Sequence, residues 1–322
     1  MEHSMKPIQG LHHITAVAGD PQANLDFYHR LLGQRLVKKT VNFDDPGTYH
    51  FYFGDETGTP GTILTFFPWA HMKRGVTGNG ETTAVAYTIR PDAIAYWRER
   101  LSDAGVMVGE TETRFGHEVI AFHDPDGMRI EFVANDLSAT INHWAAGPVP
   151  ADYALRGFHS VTLQLGAVEP TADLLTGHMG YTFVGQEGQR YRYAGASGDV
   201  GLYVDILHRP DTAPGRFGAG SIHHIAFRTV DDAEQVEYQE ALRRVGFGVT
   251  PVRDRQYFHS IYFRSPGGVL FEVATDAPGF LYDEPVEMLG RELRLPPWLE
   301  AHRPDIEAAL PVIYLPESLE VG

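Results

Sequence analysis

Cysteine is absent from all 322 residues, which removes disulfides, thiolate metal ligands and cysteine nucleophiles from consideration. A chain without disulfides fits a reducing compartment, so a cytoplasmic location is the expectation. Basic blocks are also missing. Lys and Arg number 26 against 42 Asp and Glu, a formal net charge of −16, which argues against nucleic acid or anionic membrane as partner. No apolar run approaches the roughly 20 residues of a membrane helix, and no signal-peptide pattern is visible. Nor is there a nicotinamide or flavin fingerprint. What the chain does have is 43% hydrophobic residues, ample for one large or two medium domains, and 16 histidines.

Two pairs of those histidines stand in short β-type runs near opposite ends: Leu11-His12-His13-Ile14-Thr15 and Ile222-His223-His224-Ile225-Ala226. Around them a strand–helix–strands pattern recurs. In the first copy Asp20 can cap a helix with Pro21 in its first turn, Leu25, Tyr28 and Leu32 on one face, and Gly33 past its end. In the second, Pro91 opens a helix carrying Ile94, Trp97 and Leu101, closed by Gly105. A third copy has a helix around Leu174, and a fourth has one from about Asp232 to Val245. A turn of Pro60-Gly61, Pro125-Asp126-Gly127 or Pro266-Gly267-Gly268 precedes the last strand of copies one, two and four. Repetition at this length points to a duplicated module rather than a solenoid.

The expected architecture is α+β: four βαβββ modules forming two curled mixed-sheet barrels with helices outside. The expected organisation is an N-terminal half, 8–144, with modules at 8–68 and 82–135. A linker follows at 145–156, marked by Gly147-Pro148-Val149-Pro150. The C-terminal half is 157–280, with modules at 157–208 and 221–275, and a tail at 281–322 contains a helix ending near Leu310.

Each module offers metal ligands at its first and last strands. Copy one supplies His13, with Thr65 or Phe66 at its last-strand position; copy four supplies His224 and Glu272. Two imidazoles and a carboxylate on one face leave positions open for substrate and O2 on a non-haem Fe(II) or Mn(II) ion. A carboxylate between Phe271 and Val273 is also costly to bury without a partner. A competing set would pair copies three and four through His159. Aligning His159-Ser160-Val161-Thr162 with His12-His13-Ile14-Thr15 places Ser160, not His159, at the ligand position, which favours copies one and four. Strict alternation would turn His12 and His223 away from the metal. The remaining histidines, His50 among them, read as surface or hydrogen-bonded residues.

At His13, His224 and Glu272 the chain resembles the vicinal oxygen chelate superfamily, and within it the ring-cleaving dioxygenases of the hydroquinone 1,2-dioxygenase type. The likeness runs nearly end to end, through the His-His strands, residues 33–40, residues 55–62, Thr113-Arg114-Phe115-Gly116, residues 156–160 and Ser265-Pro266-Gly267-Gly268. The resemblance implies Fe(II), with Mn(II) as the other ion the ligands accept, held by His13, His224 and Glu272. It also implies active-site roles for His12, Thr15, His223, Arg255 and Tyr262. The partners it implies are a small aromatic diol and O2, and a homo-oligomer stays open. Two other readings also stay open. One is a different metal-dependent reaction on this scaffold, a glyoxalase-like isomerase or thiol transferase. The other is a non-catalytic binder of the bleomycin-resistance kind.

Overall fold

The computed structural model describes residues 6–136, 142–198 and 200–315. Its strands and helices follow the fourfold repeat. Module one runs β1 (Leu11–Ala18), α1 (Pro21–Leu25), β2 (Arg35–Asn42), β3 (Asp45–Gly54) and β4 (Ile63–Pro68). Module two runs β5 (Glu81–Ile89), α2 (Ile94–Asp103), β6 (Glu112–Arg114), β7 (His117–His123) and β8 (Arg129–Ala134). Module three is β9 (Phe158–Leu165), α3 (Glu169–His178), β10 (Thr182–Glu187), β11 (Arg190–Ala194) and β12 (Tyr203–His208). Module four is β13 (Ile222–Thr229), α4 (Asp232–Arg244), β14 (Arg253–Asp254), β15 (Phe258–Arg264) and β16 (Leu270–Pro278).

Local chemistry sets the element ends. Asp20 and Asp231 cap α1 and α4, their carboxylates accepting from Ala23 and Glu234 N–H groups. Gly61, Gly127 and Gly268 all have φ near +90° in the turn before a last strand, a conformation that strains any residue with a Cβ. One helix departs from expectation. After α1 the chain winds as a π-helix over Asp26–Leu31, so Leu32 N–H bonds the Phe27 carbonyl five residues back. Leu25, Tyr28 and Leu32 are nevertheless buried on one face, as their spacing implies.

Two eight-stranded mixed sheets result, and each draws one module from each half of the sequence. The first has the order β14-β15-β16-β13-β1-β4-β3-β2, joining modules four and one; the second, β10-β11-β12-β9-β5-β8-β7-β6, joins three and two. At each centre the two first strands pair antiparallel, Ile14 opposite Ile225 and Val85 opposite Val161. Leu25, Trp97, Leu174 and Leu242 pack the helices into one apolar core outside the sheets. The concave faces instead carry polar side chains and form two cups.

The tail folds back on module one. Lys38, wholly buried on β2, bonds Asp283 at 2.6 Å and also Glu284, which Arg294 reaches at 3.2 Å. The expected helix is α5 (Arg303–Ala309), seated through Ile306 and Leu310.

Candidate metal centre

Sheet register brings residues from opposite ends of the chain together. His13 Nε2 lies 3.4 Å from Glu272 Oε2 and 3.4 Å from His224 Nε2, and His224 Nε2 lies 2.9 Å from Glu272 Oε2. All three side chains are buried, and among the described residues theirs is the one group of histidine and acidic side chains spaced to share an ion. Glu272 Oε1 accepts from Ser260 Oγ, whereas Oε2 is buried without a well-aligned hydrogen bond. An orphaned carboxylate oxygen facing two imidazole nitrogens at this spacing suits a cation with bonds of about 2.0–2.2 Å to N and O donors. Burial alone would push the Glu272 carboxyl up; His13 and His224 outweigh it and hold the group well below its ordinary value, as a carboxylate.

The neighbouring histidines do not separate as flat strands would require. β1 bulges between Leu11 and His13, and the β1–β13 register shifts again between Thr15 and Ala16, leaving His12 and His223 as the unpaired residues. A bulge re-aims a side chain. His12 Nδ1 therefore sits 2.9 Å from His13 Nδ1, and His223 Nδ1 sits 2.7 Å from His224 Nδ1. Burial pushes the His12 pKa well down, and that of His223 to about 3, so both rings are neutral and can accept the Nδ1 proton of the adjacent ring. With a cation in place of their Nε2 protons, the same Nδ1–H bonds would turn the Nε2 lone pairs of His13 and His224 toward the ion. His223 lines the same cavity as His224, while His12 borders a second hollow behind it.

His13 and His224 line a cavity of about 240 Å3 together with Phe67, Trp69, Phe258 and Tyr52. Thr15, Arg255 and Tyr262 face into it. Arg255 Nε donates to the Tyr262 hydroxyl at 3.2 Å. Burial raises the Tyr262 pKa, which keeps that phenol protonated at neutral pH.

Two residues that sequence reasoning passed over complete the cavity. His50 and Tyr52 alternate on β3 and point inward together. Thr65 Oγ1 donates to Thr15 at 2.9 Å, so it accepts from His50 Nε2–H, also at 2.9 Å; His50 Nδ1 then accepts from the Tyr52 hydroxyl at 2.9 Å. The chain of bonds runs from Tyr52 through His50 and Thr65 to Thr15. His50 is buried and its pKa lies well below the ordinary histidine value, first because of burial and then because of His13 and His224. Only the i, i+2 spacing of His50 and Tyr52 on a strand beside Thr65 could have signalled the arrangement.

The family model for the glyoxalase/bleomycin resistance protein/dioxygenase superfamily matches residues 10–132 and 157–273. MhqO of Bacillus subtilis (strain 168), provisionally named a ring-cleaving dioxygenase, is 48% identical over 305 residues, covering 95% of this chain and 96% of its own. The chlorohydroquinone/hydroquinone 1,2-dioxygenase of Sphingobium indicum is 37% identical over 309 residues, 93% of this chain and 95% of that protein. A crystal structure from Bacillus subtilis, provisionally described as a dioxygenase, superposes with a TM-score of 0.93 at 47% identity, over 97% of this chain and 99% of that one. Glyoxalase I from Zea mays shares the fold alone, with a TM-score of 0.63 at 13% identity over 88% of this chain and 97% of that one. Matched across both halves by the family model and nearly end to end by its relatives, the chain belongs to the glyoxalase/bleomycin resistance protein/dioxygenase superfamily.

Proposed function

We propose that this protein is an Fe(II)-dependent ring-cleaving dioxygenase that opens hydroquinone- or catechol-type aromatic diols with O2. The observation that carries the reading is the convergence of His13, His224 and Glu272, two of which, the histidines, line an aromatic-walled cavity. The names of relatives at 37–48% identity support it. A divalent redox ion on those three ligands supplies a binding place for diol and O2 and a path for electrons between them; the same N, N, O set accepts Mn(II).

The chain's own groups orient and move protons. Phe67, Trp69 and Phe258 hold an aromatic ring out of water. Thr15 accepts from Thr65 at the end of the Tyr52–His50–Thr65 relay, which leaves its own hydroxyl proton free to donate to a substrate oxygen and so orient the ring. Arg255 answers negative charge as it develops on an oxygen, and Tyr262, kept protonated and aligned by Arg255, donates a proton to the oxygen that leaves. A glyoxalase-type isomerisation calls for a further carboxylate where this chain has Thr65, a hydroxyl already engaged in the relay.

Anaerobic loading with Fe(II), followed by O2-uptake assays with hydroquinones and catechols, tests the reading. Uptake in the wild type and none in His224→Ala is expected. Absence of uptake with every diphenol overturns the function, and undiminished uptake in His224→Ala overturns the assigned ligands.

A further inference from the structure

Among the described residues lining the cavity, Arg255 is the one Lys or Arg, and part of its guanidinium is already engaged. Besides its bond to Tyr262, Arg255 Nη1 meets Asp44 Oδ2 at 3.2 Å. Asp44 belongs to the turn between β2 and β3 of module one, and Arg255 to the segment between β14 and β15 of module four. The pair therefore ties the two modules together where both line the cavity. The turn holds Asp44 in place: Asn42 Oδ1 accepts from the Asp44 N–H at 3.0 Å, and Phe43 packs edge-on to Trp298 of the tail at 5.7 Å.

The Asp44 side chain is 65% exposed, so the ion pair contributes little to folding. Its consequence lies in what can enter. A ring bearing its own carboxylate meets a like charge in Asp44 and finds the Nε and Nη1 groups of the guanidinium already bonded. A ring bearing uncharged substituents meets neither obstacle. A repulsive element of this kind discriminates between ligands of the same shape. We propose that Asp44 is a specificity-determining residue that restricts the cavity to aromatic diols with uncharged ring substituents and turns away carboxylated ones. That the ring is a diol rests on the dioxygenase reading; the charge rule concerns binding and is testable without turnover.

The test is isothermal titration of the protein as isolated, under argon, with benzoate and with phenol. Asp44→Asn should tighten benzoate relative to phenol by about ten-fold, the size of one partly screened charge contact. Asp44→Glu should keep the wild-type ratio, which a merely structural role for the turn would not ensure. In O2-uptake assays, kcat/KM for 2,5-dihydroxybenzoate relative to hydroquinone should rise in Asp44→Asn alone. An unchanged benzoate-to-phenol ratio in Asp44→Asn overturns the proposal. So does an equal change in Asp44→Glu, or failure of both probes to bind at millimolar concentration. A shifted ratio with no O2 uptake from any diol would instead reject the dioxygenase reading and leave the role of Asp44 standing.

Discussion

The two cups are built on one plan and filled differently. In the first sheet the two central strands bring His13 and His224 to the concave face, and the adjoining last strands bring Thr65 and Glu272. At the matching places in the second sheet stand Ala84 and Ser160, with Asp205 and Glu131 on the last strands. The second cup thus has two buried carboxylates and no imidazole at the ligand positions. Arginine answers them. Arg114 reaches both Glu131 oxygens, at 2.6 and 3.3 Å, and Arg129 adds a contact at 2.9 Å. Arg192 forks onto Asp205 at 2.8 and 2.9 Å, and Arg190 joins at 3.1 Å. A carboxylate inside a strand of this fold needs a cation. One cup offers geometry for a metal ion, and the other closes the need with guanidinium groups.

The largest expected effect comes from breaking the first cup. His224→Ala should lower turnover at least about a thousand-fold, the loss of several kcal/mol of metal-centred stabilisation, with Fe(II) content falling in parallel. Breaking the second cup should do something else. Glu131→Gln leaves Arg114 buried against a neutral amide, so a urea titration should record a loss of about 3 kcal/mol while Fe(II) content stays at the wild-type level. Metal loss in that variant would mean the cups are not independent.

Within the first cup, Tyr262→Phe removes a proton donor and leaves the ligands untouched. It should lower kcat by about a hundred-fold with little change in KM for the diol, in steady-state O2 uptake. Acid sensitivity sharpens the comparison further. Burial raises both carboxyls, but His13 and His224 at Glu272, and Arg114 first at Glu131, pull them below the ordinary range. The stability each lends is complete above the unfolded value of about 4.3 and is lost as pH falls through the lower folded values. Glu272→Gln and Glu131→Gln should each flatten the fall in urea stability between about pH 4 and pH 2. A wild-type slope in either variant would show that its carboxyl is not held by the partners named.

Much of this was legible in one dimension. The Pro-Gly turns marked the modules because the left-handed glycine they need is the same each time, and Asp20, Pro21 and Leu25 announced α1 through capping and spacing. An in-strand Glu272 among apolar neighbours pointed to a partner for its charge. Side-chain alternation, however, knows nothing of bulges, so it put His12 and His223 on the far faces when they touch His13 and His224. The role of Glu131 depended on Arg114 from another strand, a distance no local pattern encodes. His50 and Tyr52 looked like ordinary strand residues because what sets them apart is Thr65 across the sheet. The π-helical turn after α1 left the same residues buried, so periodicity could not reveal it.

The joining of module one to module four has a consequence for how the chain matures. His13 and His224 are 211 positions apart, so a ribosome releases the first long before the second exists. Until Glu272 has emerged, nascent chain carries isolated donors, and the second sheet, whose modules adjoin in sequence, can settle beforehand. Closure of so long a loop is entropically slow, which makes the meeting of His13, His224 and Glu272 the last act of biogenesis rather than an early one.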